Sequence, residues 1–141
     1  KTYLVQLISD LIDSDDKYKN EINLQKNLKD LIINGNKNYL DICFKNLFDN
    51  AIHNKKQGTQ IKVFIDSISG VSVINEHTIQ NVNKDTDKNI FEKFWRGDKN
   101  KYSGSGLGLA IVKRIVEAHK ATIIPQIDQK TFKIIINFNL N

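Results

Sequence analysis

Between Asn38 and about Lys56, Leu40, Phe44, Leu47, Ala51 and Ile52 recur with the 3.6-residue period of a helix, and on either side the apolar period drops to two. That switch constrains the fold more than any other feature. After Gly58, Ile61, Val63 and Ile65 alternate with polar neighbours; Ser69-Gly70 turns the chain, and Val71 and Val73 answer as the second half of a hairpin. Leu107 to His119 carries a second helical pattern, apolar on most faces at its start and therefore buried there. Ile123 and Ile127, then Phe132, Ile134, Ile136 and Phe138, predict a terminal hairpin. Upstream, Leu4, Leu7, Ile8, Leu11 and Ile12 predict a short amphipathic helix from Tyr3 to Ile12, ended by Ser14, Asp15 and Asp16. Ile22 and Leu24, then Leu28, Leu31 and Ile33, predict two short strands around a polar connector, and Asn34-Gly35-Asn36 is a turn. The stretch from Asn75 to Asn89 reads as too polar for core. Hairpins alternating with two long helices predict an α+β fold: a two-layer α/β sandwich with a mixed sheet and helices on one face. At 141 residues, without repeats or linkers, this is one domain, 1–141.

Composition narrows the function classes. No apolar run approaches the roughly 18 residues of a membrane span. Cys43 is the only cysteine, which excludes an intrachain disulfide and a thiolate zinc cluster. Flanked by Ile42 and Phe44, it is expected to be a buried, reduced thiol of a cytosolic protein. The net charge is +5, and Val71 to Asn141 holds most of it, with 11 cations against 7 acids, about +4. Near Lys93, Arg96, Lys99 and Lys101 such a patch suits a phosphate-bearing ligand. Nucleic acid is not expected, because no aromatic and basic readout motif accompanies the charge.

Three motifs carry the chemistry. In Asn46-Leu47-Phe48-Asp49-Asn50-Ala51, Asn46 and Asn50 stand one turn apart on one helix face, with His53 and Asn54 a turn further on. Amide oxygens suit a hard cation such as Mg²⁺, which takes waters and phosphate oxygens as its remaining ligands. With 17 Asn in the chain, a merely solvated polar stripe is the competing reading. Gly104-Ser105-Gly106-Leu107-Gly108-Leu109 opens the later helix, where glycines let backbone N–H groups approach phosphate oxygens. It is neither a dinucleotide fingerprint nor a Walker loop, both of which need other residues at these positions. Ile90-Phe91-Glu92-Lys93-Phe94-Trp95-Arg96-Gly97-Asp98 is an aromatic cluster able to anchor one end of a lid, or to serve as satellite core.

In order and spacing the three motifs resemble the catalytic ATP-binding domain of sensor histidine kinases, a branch of the superfamily that includes gyrase, heat-shock chaperone and mismatch-repair ATPases. Asn46 to Asn54 resembles its asparagine box, Phe91 to Asp98 its phenylalanine box, and Gly104 to Leu109, continuing to His119, its last glycine box. The resemblance spans essentially the whole chain. It implies a Bergerat-type ATP-binding fold with ATP and Mg²⁺ as cofactors, Asn50 as metal ligand and Asn46 contributing beside it. By the same resemblance, nucleotide contacts fall on His53, Asn54, Asn75, Gly104, Ser105, Gly106, Leu107, Gly108 and Leu109, and lid charges on Arg96, Lys99 and Lys101. It further implies two partners, a dimerisation domain carrying the phosphoacceptor histidine and a cognate response regulator, and a cytoplasmic location as the cytosolic part of a membrane receptor.

Departures from the family pattern are specific. Its first glycine box is a strand ending in Asp, which accepts from the adenine amino group, followed by Asn-Gly-x-Gly. Here the parity of Val71 and Val73 puts Asn75 in the Asp position, and Glu76-His77-Thr78-Ile79 follows without glycine; the alternative alignment puts Ile74 there and removes the polar adenine contact. Restoring the family residue with Asn75→Asp is expected to preserve or improve ATP affinity. The Lys or Arg and Tyr usual after the asparagine box are His53 and Asn54, which implies a weaker phosphate grip. No acceptor motif surrounds His53, His77 or His119, and Thr2 to Ile12 resembles the stretch just after the dimerisation domain. An alternative function follows from these departures: a degenerate fold acting as a partner-binding module.

Overall fold

Val63, Val73 and Ile134 lie side by side on three neighbouring strands, as do Ile65, Val71 and Ile136, and none of the six is more than 3% exposed. These two ranks form the inner face of the sheet and begin the core. Strict alternation places them there: each intervening residue, such as Lys62 or Phe64, turns to the opposite, more open face.

The computed structural model describes residues 1–80, 82–92 and 108–138. The described elements are β1 (Thr2–Tyr3), α1 (Leu4–Asp13), α2 (Asp16–Glu21), β2 (Ile22–Lys26), β3 (Ile32–Ile33), α3 (Lys37–Asn54), β4 (Ile61–Asp66), β5 (Gly70–Glu76), α4 (Thr86–Asn89), α5 (Gly108–Ala118), β6 (Thr122–Ile127) and β7 (Thr131–Asn137). The main sheet has the order β2-β4-β5-β7-β6; β2 and β4 are parallel and the other pairs antiparallel. The crossover from β2 to β4 runs through α3, as parallel pairing demands. The apolar stripes of α1 (Leu4, Leu7, Ile8, Leu11), α3 (Leu40, Phe44, Leu47, Ala51) and α5 (Leu109, Val112, Val116) join the inner sheet face in one core cluster. Burying each large aliphatic side chain contributes about 1.5–3 kcal/mol. The α+β sandwich with a mixed sheet is the observed architecture.

Cys43 is fully buried in that cluster, and burial pushes its thiol up to about 12, which keeps it protonated.

The amino-terminal region differs from expectation. Thr2 and Tyr3 form β1, paired antiparallel with β3 in a separate two-stranded sheet, so the second predicted strand shrinks to Ile32–Ile33 and does not pair with the first. Asp15 and Asp16 do not simply end α1. They begin α2, whose N-cap Asp15 accepts from the Lys17 N–H at 3.0 Å. The buried residue of α2 is Tyr18, packed edge-on against Phe48, with its hydroxyl donating to Asp49 Oδ1 at 2.8 Å. Burial and this carboxylate raise the hydroxyl above the usual tyrosine range.

Candidate functional site

The stripe on α3 is not a solvated one. Asn50 and Asn54 are 7% and 5% exposed, and Asn54 Nδ2 donates to Asn50 Oδ1 at 3.2 Å. Two amides one turn apart are thus buried as a bonded pair. Asn46, a turn earlier and half-buried, turns back along the helix, its Nδ2 donating to Ile42 O at 2.7 Å. Its Oδ1 faces the start of α5: a Cβ on Gly108 would lie 3.3 Å from that oxygen. A side chain at Gly108 would push Asn46 Oδ1 back by a few tenths of an ångström, and the asparagine helix and the glycine-box helix meet at this contact. His53, in the last turn of α3, is half-buried.

Asn75 lies on the inner face, opposite Phe132, as the parity of Val71 and Val73 requires, and it is 3% exposed. Its Nδ2 donates to Glu76 O at 2.9 Å, and the same carbonyl accepts from Lys56 N–H at 2.7 Å. Lys55 and His77 form an isolated bridge beside it. The C-terminal end of α3, just past Asn54, is therefore joined to the end of β5, just past Asn75.

The expectation that Asn75 to Asn89 is too polar for core is corrected: Asn75, His77, Ile79 and Thr86 are all buried. The Asn75, His77 and Thr86 side chains all have hydrogen-bond partners, which lowers the cost of burying them. The His77 ring takes the most part in this. Its Nδ1 accepts from Ile79 N–H at 3.0 Å, which leaves Nε2–H to donate to Asp128 O at 2.6 Å, while its backbone N–H donates to Lys130 O at 2.9 Å. The ring meets Phe132 edge-on at 6.3 Å. An imidazole thus braces the turn where glycines were expected.

Of the remaining predicted site residues, Arg96, Lys99, Lys101, Gly104, Ser105, Gly106 and Leu107 lie outside the described residues. Gly108 opens α5, while the Leu109 side chain belongs to the core, so only its backbone is available to a ligand. Sequence reasoning also missed His119. Its Nδ1 donates to Ile115 O at 2.8 Å and its Nε2 accepts from Asn36 N–H at 3.1 Å, and a Cβ on Gly35 would come within 2.9 Å of the ring. Among the described residues the buried Asp87 Oδ1 has no hydrogen-bond partner, which nothing in the sequence signals.

Among the described residues no group of three or more His, Cys, Asp and Glu could hold a metal, and no helix is long and apolar enough to cross a membrane. The donors on α3 are neutral amide oxygens. They suit a hard divalent ion that brings phosphate oxygens and water with it.

The family described as histidine kinase-, DNA gyrase B- and HSP90-like ATPases matches residues 35–140. The heme sensor protein HssS of Staphylococcus epidermidis is 31% identical over 105 residues, covering 74% of this chain and 23% of that protein. The sensor protein QseC of Salmonella typhimurium is 34% identical over 103 residues, covering 73% and 22%. The chain thus spans about a quarter of the length of these relatives. Among solved structures, the catalytic domain of histidine kinase ThkA superimposes with a TM-score of 0.75 at 21% identity, over 95% of this chain and 92% of that one. The mycobacterial sensor histidine kinase MprB gives 0.72 at 20%, over 96% and 95%.

Proposed function

The chain belongs to the histidine kinase-, DNA gyrase B- and HSP90-like ATPase family, and from that premise we propose that it is the ATP-binding catalytic domain of a two-component sensor histidine kinase. In this reading it presents the γ-phosphoryl group of Mg-ATP to a histidine on a separate dimerisation domain, from which a response regulator receives it. The domain works in the cytoplasm, as the cytosolic part of a membrane receptor. The observation that carries the reading is the seam between α3 and α5, where Asn46 Oδ1 abuts Gly108 and Asn50 lies buried one turn on.

Within that seam each residue has a task. Asn50 offers an amide oxygen to Mg²⁺, with Asn54 holding the amide by its hydrogen bond. Mg²⁺, when bound, neutralises the developing charge on the phosphates. Asn46 stands where the hydrolysing relatives of the resemblance carry a Glu that activates water. An amide is no general base near neutral pH, so transfer relies on positioning and on an acceptor brought from another domain. Backbone N–H groups at the start of α5 donate to phosphate oxygens in this reading. His53 brings a hydrogen bond but no fixed charge, and Lys99, Lys101 and Arg96 supply charge from the lid segment. Asn75 faces the base.

Calorimetric titration with ATP, ADP and GTP, with and without Mg²⁺, tests the reading. Binding of ATP and ADP that strengthens with Mg²⁺ is expected. A folded domain that binds none of them overturns it. That outcome favours the second reading, a partner-binding module, which the His77 brace in place of the glycines supports.

A further inference from the structure

Gly35 and Asn36 share one peptide group, and both of its polar atoms are engaged by distant parts of the chain. On the carbonyl side, Thr2 Oγ1 in β1 donates to Gly35 O at 2.9 Å. On the amide side, Asn36 N–H donates to His119 Nε2 at 3.1 Å, and His119 Nδ1 ties the ring to α5 through Ile115 O at 2.8 Å. The same peptide stands at the origin of α3, because Asn36 is its N-cap and accepts from Tyr39 N–H at 3.1 Å. The junction is closed as well as bonded. A Cβ on Gly35 would lie 2.9 Å from the His119 ring and 3.0 Å from Leu40, so the ring rests directly on the glycine. Thr2 is buried, so the hydroxyl and carbonyl depend on each other rather than on bulk water.

α5 therefore meets the asparagine helix at two named points: Gly108 against Asn46 Oδ1 at its start, and His119 against Gly35 and Asn36 just past its end. A helix of this length spans about 16 Å and moves as a rigid element, so fixing its end fixes the axial position of its start. We infer that Thr2 and His119 are positioning residues for the glycine-box end of α5, and that the Gly35–Asn36 peptide couples β1 to the nucleotide site. The two hydrogen bonds of one peptide polarise each other, so losing the Thr2 donor weakens the grip of Asn36 on His119. β1 belongs to a two-stranded sheet apart from the main one, so it can detach without disturbing the main sheet. Attached, it holds α5 in register with Asn46. Detached, it frees the end of α5 and lowers nucleotide affinity. By reciprocity, bound nucleotide tightens β1 by the same factor. The inference rests on the nucleotide-binding reading above, in which β1 follows the dimerisation domain and receives its movements.

Two variants cut the coupling from opposite sides. Thr2→Val keeps a β-branched side chain in β1 and removes only the hydroxyl. His119→Phe keeps a ring over Gly35 and removes both nitrogens. Calorimetry with ADP is expected to show each binding about threefold or more weakly than the parent, the loss of one hydrogen bond of ordinary strength. The double variant should bind about as weakly as the weaker single one, because both cut the same connection. Amide exchange in the parent reads the reverse direction. ADP should slow exchange at Leu4 N–H, which β1 holds 2.9 Å from Leu31 O, more than at the control Asn27 N–H beside β2, bonded to Ile65 O. That extra slowing should vanish in Thr2→Val and in His119→Phe alike, and either variant suffices for the comparison. Parent-like ADP affinity in Thr2→Val, losses that simply add in the double variant, or slowing at Leu4 that survives the substitutions overturns the coupling and leaves nucleotide binding intact. A parent domain that binds no ADP removes the nucleotide-binding reading itself, and the inference with it.

Discussion

Asn50→Ala removes one acceptor from a buried pair, and its consequences separate into a stability effect and a metal effect. Asn54, 5% exposed, loses the oxygen its Nδ2 now reaches at 3.2 Å, and a buried amide stranded in this way costs about 1–3 kcal/mol. In a domain of this size each 1 kcal/mol lowers the thermal midpoint by about 3–6 °C, so a drop of several degrees is expected where a solvated stripe would show almost none. Asn54→Ala should cost a comparable amount, because it strands the buried Asn50 oxygen in turn. The double variant should then be more stable than the sum of the two single costs predicts, with a coupling of about 1 kcal/mol. Urea unfolding of the four proteins measures this cycle. Calorimetry with ATP in the presence and absence of Mg²⁺ measures the other half: Mg²⁺ should strengthen binding in the parent and in Asn54→Ala, and make little difference in Asn50→Ala. Costs that simply add would refute the bonded pair as a stabilising contact. A folded Asn50→Ala protein with undiminished Mg²⁺ dependence would refute the metal assignment.

Gly108→Ala, at the first residue of α5, should change the thermal midpoint little, yet weaken ATP binding, because Asn46 Oδ1 must give way by a few tenths of an ångström. Thermal melts and calorimetry on one preparation check both halves. The Asp128 carboxyl is held below its usual range by the backbone N–H groups of Lys130 and Thr131, so its stabilisation is present above the unfolded value of about 4 and is lost as pH falls through the lower folded one. Asp128→Asn keeps an acceptor but cannot titrate, and acid melts should show it losing less stability than the parent below about pH 4. The isolated domain should release negligible phosphate from ATP and should not label itself with γ-labelled ATP, whereas adding the dimerisation domain of its parent should restore labelling. Robust phosphate release abolished by Asn46→Ala would point to an ATPase instead.

Where one period ran long enough to be counted, the sequence was a sufficient guide. The α3 pattern, the β4–β5 hairpin, the terminal hairpin and the inward parity of Asn75 all stand in the structure where the spacing put them. Segments whose order comes from distant partners were not legible. Thr2–Tyr3 is too short to read as a strand until Ile32–Ile33 lies beside it, and α2 is a single polar turn and a half pinned by Tyr18 reaching Asp49 on α3. The burial of His77 was hidden because its partners Asp128 and Lys130 lie about fifty residues away in the chain, whereas Ile79 and Thr86 bond locally, to His77 and Asn83. At the candidate site the residue types were readable but their orientations were not: nothing in the letters says that Asn46 turns toward Gly108 or that Asn75 is tied to its own neighbour's carbonyl.

The hydrogen bonding of two imidazoles bears on where a phosphoryl group can land. A histidine becomes phosphorylated by attack of the lone pair on its unprotonated ring nitrogen, and in a neutral ring there is one such pair. In His77 it resides on Nδ1 and is engaged by Ile79 N–H; in His119 it resides on Nε2 and is engaged by Asn36 N–H. For either ring to act as nucleophile, a backbone hydrogen bond must first break, and for His77 the ring must also leave a site that is 5% exposed. The fold thereby quenches the nucleophilicity of both residues while using them as braces.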